Sequence, residues 1–156
     1  MKTKSFSAAL VLIAGLSALT YGQSRQWVNV VPVGGRCLVT MPGRPEEKTQ
    51  TGESQHGKHT THMFVSRDDS ATYFLAWVDY PSGYHPNALA EIDANRDNFV
   101  KSVEAKVTSE RKLSISGHPG IEFTAEGAAS MYRSRVFMVG ARPYQLVAMW
   151  DRGKEA

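Results

Sequence analysis

The chain has 156 residues, 42% of them hydrophobic, with 18 Lys and Arg against 15 Asp and Glu and a single Cys. One Cys excludes any intramolecular disulfide, so the fold must be held by packing. Two of the excess lysines, Lys2 and Lys4, lie in the first few residues, and the remaining charges are interspersed in sign; nucleic-acid binding rests on clustered cations, so a nucleic-acid partner is argued against.

The first segment has the three parts of a secretory signal peptide. Lys2 and Lys4 form its positive end, and Phe6 to Leu19 is an unbroken run of apolar and small residues. That run is shorter than the roughly 20 residues a bilayer span needs. Thr20 and Gly22 are small enough to stand three and one residues before a scissile bond, which makes 1–22 the expected signal peptide and Gln23 the expected mature N-terminus. An uncleaved anchor is the rival reading. No Cys follows the apolar run closely, so the acylation site of a lipoprotein is missing. Cleavage leaves 23–156 as a single domain with 16 Lys and Arg against 15 Asp and Glu, a net +1, and with no membrane span. Export to the periplasm or the exterior is the expected localisation.

Along the mature chain, Trp27 to Val31 reads as an opening strand, closed by Pro32 and Gly34-Gly35. Cys37 to Met41 reads as a second strand, ended by Pro42-Gly43, and Cys37 itself reads as a small buried hydrophobe. Residues 43–61 are polar without apolar periodicity, and are either a long loop or exposed edge strands. His62 to Val65 and Thr72 to Tyr80 are apolar and aromatic runs separated by Asp68-Asp69-Ser70, the pattern of two strands and a short turn. A long amphipathic helix is predicted from Pro86-Asn87 to about Val107, with Leu89, Ile92, Arg96, Phe99, Val103 and Val107 forming its inner stripe. Two hairpins follow. The first has arms 112–116 and 121–125 around Gly117-His-Pro-Gly120, and the second has arms 131–139 and 144–150 around Gly140-Ala-Arg-Pro143. The last arm is apolar on both faces, as a strand covered from both sides would be. The order of elements predicts an α+β fold, an antiparallel β-sheet with one long helix packed on it.

Several phrases resemble the PsbP-like family of small exported α+β sandwiches, which includes DcrB-like envelope proteins. They are Gly35-Arg-Cys-Leu-Val-Thr-Met-Pro-Gly43, Val78-Asp-Tyr-Pro81, Ile115-Ser-Gly-His-Pro-Gly-Ile-Glu-Phe123, and the stretch from Arg133 to Leu146. None is a catalytic signature. The resemblance implies the PsbP-like sandwich, a lean towards an accessory or binding role, and a C-terminal helix over the sheet. This sequence departs from that pattern by ending at Ala156 soon after the last strand, so a missing closing helix and an exposed apolar sheet face are expected.

Three constellations bear on chemistry. His56, His59 and His62 are imidazoles at intervals of three, a ligand type suited to zinc, copper or nickel. Residues three apart on a strand point to opposite faces, and no acidic residue or Cys stands among them, so a solvated stretch is the simpler expectation. Arg133, Arg135 and Arg142 are a candidate contact patch for an anion or a protein, against the alternative of cross-strand pairing with acidic neighbours. Trp77, Tyr80, Tyr84, Tyr144 and Trp150 line a groove or fill the core, and a domain without disulfides needs them in the core. There is no Gly-x-Ser-x-Gly elbow and no glycine loop opening onto a helix. The expectation is an exported envelope protein, non-enzymatic, without cofactor or catalytic residues, whose partner is another envelope protein. The alternative is a small metal-dependent envelope enzyme using segment 56–62.

Overall fold

The computed structural model describes residues 26–54 and 56–154. The predicted signal peptide lies outside them. Strand takes 59% of the described residues and helix 12%. In chain order the elements are β1 (Trp27–Val30), β2 (Val39–Pro42), β3 (Glu46–Ser54), β4 (Gly57–Arg67), β5 (Thr72–Asp79), α1 (Ala88–Ser102), β6 (Lys106–Ile115), β7 (His118–Glu126), β8 (Ser130–Val139) and β9 (Arg142–Asp151). Seven strands form one antiparallel sheet in the order β3-β4-β5-β9-β8-β7-β6, and β1 pairs with β2 in a separate two-stranded ribbon.

This architecture corrects the α+β expectation. The molecule is mostly β, and α1 is a short helix, not a long one packed across a sandwich of the PsbP-like kind. Two physical causes account for the difference. First, the polar segment expected as a loop or edge strands is a long hairpin, β3 and β4, whose Thr49, Thr51, Thr60 and Thr61 suit extended backbone while burying little. A strand at a sheet edge needs no apolar face. Second, α1 ends at Ser102, where Val103 leaves helical geometry and Glu104 takes a positive φ of 51°. The predicted last turn, around Val107, is instead the start of β6.

Asn87 caps α1, its Oδ1 accepting from the Ala90 amide at 3.0 Å. The buried stripe differs from the predicted one. Ile92 and Phe99 face inward as expected, but Leu89 is 63% exposed and the other inward positions are Glu91 and Asn95. Polar residues fit there because they are hydrogen-bonded: Asn95 Nδ2 donates to the Glu91 carbonyl at 2.8 Å and the Tyr80 hydroxyl donates to the Glu91 carboxylate, while on the sheet below Gln145 Nε2 donates to Ser134 Oγ at 3.0 Å. Phe99 anchors the helix against Phe123 and Tyr132, with ring centroids 5.9 and 5.5 Å away. This core lies over β7 and β8 and reaches Val147 on β9.

The opposite face of the sheet has its own cover. Met41 on the β1–β2 ribbon packs with Phe64, Leu75, Trp77 and Tyr144, joined by Val30, Cys37 and Val39. The far face of β9 is therefore partly roofed by the N-terminal segment, and the expected bare apolar face is corrected to that extent. Among the described residues no helix follows β9, and none is long and apolar enough to cross a membrane. The hairpin turns are tighter than predicted. Ile115 pairs with His118, leaving Ser116 and Gly117 at φ 50° and 80°, the positive pair that a two-residue hairpin turn demands.

Candidate functional site

On the face opposite α1, the strand registers align side chains in three rows. The first runs Thr49, His62, Trp77, Tyr144, Phe137 across β3, β4, β5, β9 and β8. The second runs Phe64, Leu75, Leu146, Arg135, Glu122, Arg111 from β4 to β6. The third runs Ser66, Tyr73, Ala148, Arg133, Thr124. Each row is apolar or aromatic over β5 and β9, where the ribbon sits, and the second and third become polar at Arg135 and Arg133 on β8 and at Glu122 and Thr124 on β7. The ribbon thus ends in the middle of the sheet.

Its position is fixed at three places. Ser66 Oγ on β4 donates to the Pro42 carbonyl. Tyr144 Oη donates to the Gly35 carbonyl at 2.8 Å, and Arg142 Nη1 to the Gly34 carbonyl at 2.7 Å. Gly35 has to be glycine: a Cβ there would meet Pro32 Cβ at 2.9 Å and Trp77 Cη2 at 3.1 Å, so only a bare backbone lets the loop rest on the indole. Arg142 also reaches Asp79 Oδ1 at 2.5 Å, and Asp79 Oδ2 meets His62 Nε2 at 3.2 Å. Burial works against the Arg142 charge, but the Tyr144 hydroxyl and Asp79 more than offset it and hold its pKa above the ordinary guanidinium value. The Cys37 thiol is pushed up by burial, with Arg142 opposing. A raised thiol pKa is the opposite of what a nucleophile needs, in keeping with Cys37 as a packing residue.

His62, Asp79 and the Thr49 hydroxyl have the outline of a base, its orienting carboxylate and a nucleophile. Thr49 Oγ1 lies 3.5 Å from His62 Nδ1, at the limit of hydrogen bonding, on an exposed edge strand. Asp79 divides its carboxylate between His62 and the arginine that pins the ribbon. The group is a latch: it ties β4, β5 and β9 to the loop before β2.

The histidine triplet does not converge. His62 stacks on Trp77, centroids 4.8 Å apart, on the ribbon face. His59 points to the other face, 6.4 Å from the Tyr80 ring, with its Nδ1 buried and without a hydrogen-bond partner. His56, in the β3–β4 turn, stacks on Tyr84 at 4.3 Å. No group of three or more potential metal ligands occurs among the described residues.

The arginine patch separates into three roles. Arg142 is the latch. Arg135 Nε donates to Glu122 Oε2 at 2.6 Å, and Arg111 holds the other oxygen of the same carboxylate. Arg135 first, then Arg111, keeps the Glu122 pKa below the usual carboxylate value. Arg133 has neither ion pair nor hydrogen bond among the described residues and is exposed. It stands beside a cavity of about 170 Å³, with Val39, Thr40 and Met41 of β2 on one side, Tyr73, Leu146 and Ala148 as the floor, and Arg133 and Arg135 on the other side. The predicted aromatics divide as well: Trp77 and Tyr144 are buried beneath the ribbon, while Tyr80 donates to the carboxylate of buried Glu91 on the helix side. Burial and that carboxylate push the Tyr80 phenol far up.

Sequence reasoning singled out Arg133 and Arg135 by their two-residue spacing, and missed Asp79, Glu91 and the groove wall on β2. Asp79 carries no local signal, because its partners are on other strands. Compared with known proteins, the chain matches no family model and no curated protein, which neither strengthens nor refutes the PsbP-like resemblance.

Proposed function

We propose that the chain is exported and acts outside the cytoplasm as a non-catalytic binding domain whose partner is another protein of the cell envelope. The observation that carries this reading is the groove between β2 and β8, apolar on its floor and flanked by a guanidinium without an acidic partner. An apolar depression with a few convergent polar groups is the usual form of a recognition site. Export is supported by Lys2 and Lys4, the apolar run 6–19, and the small Thr20 and Gly22.

The metal-enzyme alternative asked His56, His59 and His62 to share one site. With His59 and His62 on opposite faces of β4, they cannot do so without unpairing the strand.

The test has two parts. Residues 1–26 fused to a reporter that is active only outside the cytoplasm should give activity that is lost when Leu10, Leu12 and Ile13 are replaced by Asp. A photo-reactive residue at Thr124, opposite Arg133 on β7, should cross-link a discrete partner in envelope extracts. The same residue at Asp97, on the exposed side of α1, should not. A reporter confined to the cytoplasm, or equal capture at both positions, contradicts the proposal.

A further inference from the structure

We infer that the groove between β2 and β8 recognises the carboxyl terminus of a polypeptide ending in an apolar residue, with the terminal carboxylate on Arg133 and the last side chain on the floor formed by Tyr73, Leu146 and Ala148. This rests on the reading of the chain as a protein-binding domain and adds the chemistry of its ligand.

Three observations select that occupant. The first is charge. Arg133 and Arg135 stand on one strand, two residues apart on one face, with Ala148 and Leu146 directly opposite. Glu122 engages Arg135 and Arg111, whereas Arg133 makes no ion pair among the described residues, so the site asks for an anion at its β8 side. A guanidinium matches a carboxylate with two parallel donors. The second is size. A volume of about 170 Å³ is well below the 300–1,000 Å³ that drug-sized ligands and cofactors occupy, and close to the cavity of about 150 Å³ known to take a single benzene. It fits one apolar side chain. The third is the wall. β2 is hydrogen-bonded to β1 on one side only; on its other edge Pro42 has no N–H and its carbonyl accepts from Ser66, which leaves the Thr40 backbone open to a ligand. The last residue of an extended peptide can pair with that one position while its side chain enters the groove. An isolated carboxylate or a fatty acid would leave that edge unused.

The two arginines are held differently. Arg135 is fixed by Glu122, itself fixed by Arg111, so the rim is braced on the β7 side. Arg133 is unrestrained and can swing to meet the ligand.

The experiment is fluorescence anisotropy on residues 23–156 at physiological ionic strength. The probes are labelled hexapeptides without acidic side chains that end in leucine, as the free acid and as the C-terminal amide. The free acid should bind at least about tenfold more tightly than the amide, the ratio expected when one hydrogen bond to a charged group is lost. Arg133→Gln should bring the two within about threefold. Lys101→Gln, which removes an exposed charge from the helix side, should leave the ratio unchanged. Equal binding of acid and amide, a ratio insensitive to Arg133→Gln, or displacement of the peptide by octanoate at lower concentration than by the free acid overturns the inference. Failure of every peptide with partner capture at Thr124 intact overturns the carboxyl-terminal assignment alone, whereas loss of capture as well removes the binding-domain reading beneath it.

Discussion

Arg133, Arg135 and Arg142 lie close together in the chain and do three different things. The alternation of a strand places Arg133 and Arg135 on one face, and that much follows from spacing. What each meets depends on neighbours brought in by register: Glu122 for Arg135, Asp79 for Arg142, and Thr124 for Arg133, which makes no ion pair among the described residues. The Glu122 pair carries a pH consequence. The folded-state pKa of Glu122 is lowered, chiefly by the hydrogen bond from Arg135, so its contribution to stability is full above the unfolded value of about 4.3 and is lost as pH falls through the folded value. Arg135→Gln should therefore lower stability at pH 7 by no more than about 1 kcal/mol, because both guanidiniums are more than half exposed and screened. Urea unfolding of the two proteins should show that difference shrinking below about pH 4. A difference that grows on acidification would place the effect elsewhere.

At the scale of elements, the legible parts were those whose pattern is local. The strands β4, β5, β8 and β9 carry apolar runs, and the Asn87 cap marks the start of α1. The end of α1 was hidden, because Val103 and Val107 continue the three- and four-residue spacing past the point where the backbone turns at Glu104. The inward Glu91 and Asn95 were hidden too, since only the partners supplied by Tyr80 and by the helix itself, where Asn95 donates to the Glu91 carbonyl, make those positions suitable for burial. The ribbon was legible as two strands but not as a cover, because its anchors lie far along the chain: Gly34 and Gly35 meet Arg142 and Tyr144. These anchors make a prediction at this scale. Asp79→Asn weakens the hold on both His62 and Arg142, and amide hydrogen exchange in residues 31–38 should quicken by about tenfold while β7 and β8 stay protected. Uniform loss of protection across the sheet would mean that Asp79 supports the whole fold and not the ribbon alone.

For the whole molecule, the expected α+β fold gave way to a mostly β one for a reason of composition. The hairpin of β3 and β4 has an edge strand facing water, and the apolar patterning that reveals a strand is a signature of burial, not of strand geometry. Once that hairpin is placed, the sheet has more strands than one short helix can cover. The helix protects β7 and β8, the ribbon protects β4, β5 and β9, and the far-face seam between β9 and β8 is where cover ends and Arg133 begins. Locating the site at that seam is the central claim, and amide chemical-shift mapping with the leucine-terminated free-acid peptide tests it most directly. Perturbations should gather at Val39–Met41, Arg133–Arg135 and Leu146–Ala148. Perturbations gathered instead along α1, or around His56 and Tyr84, would contradict it.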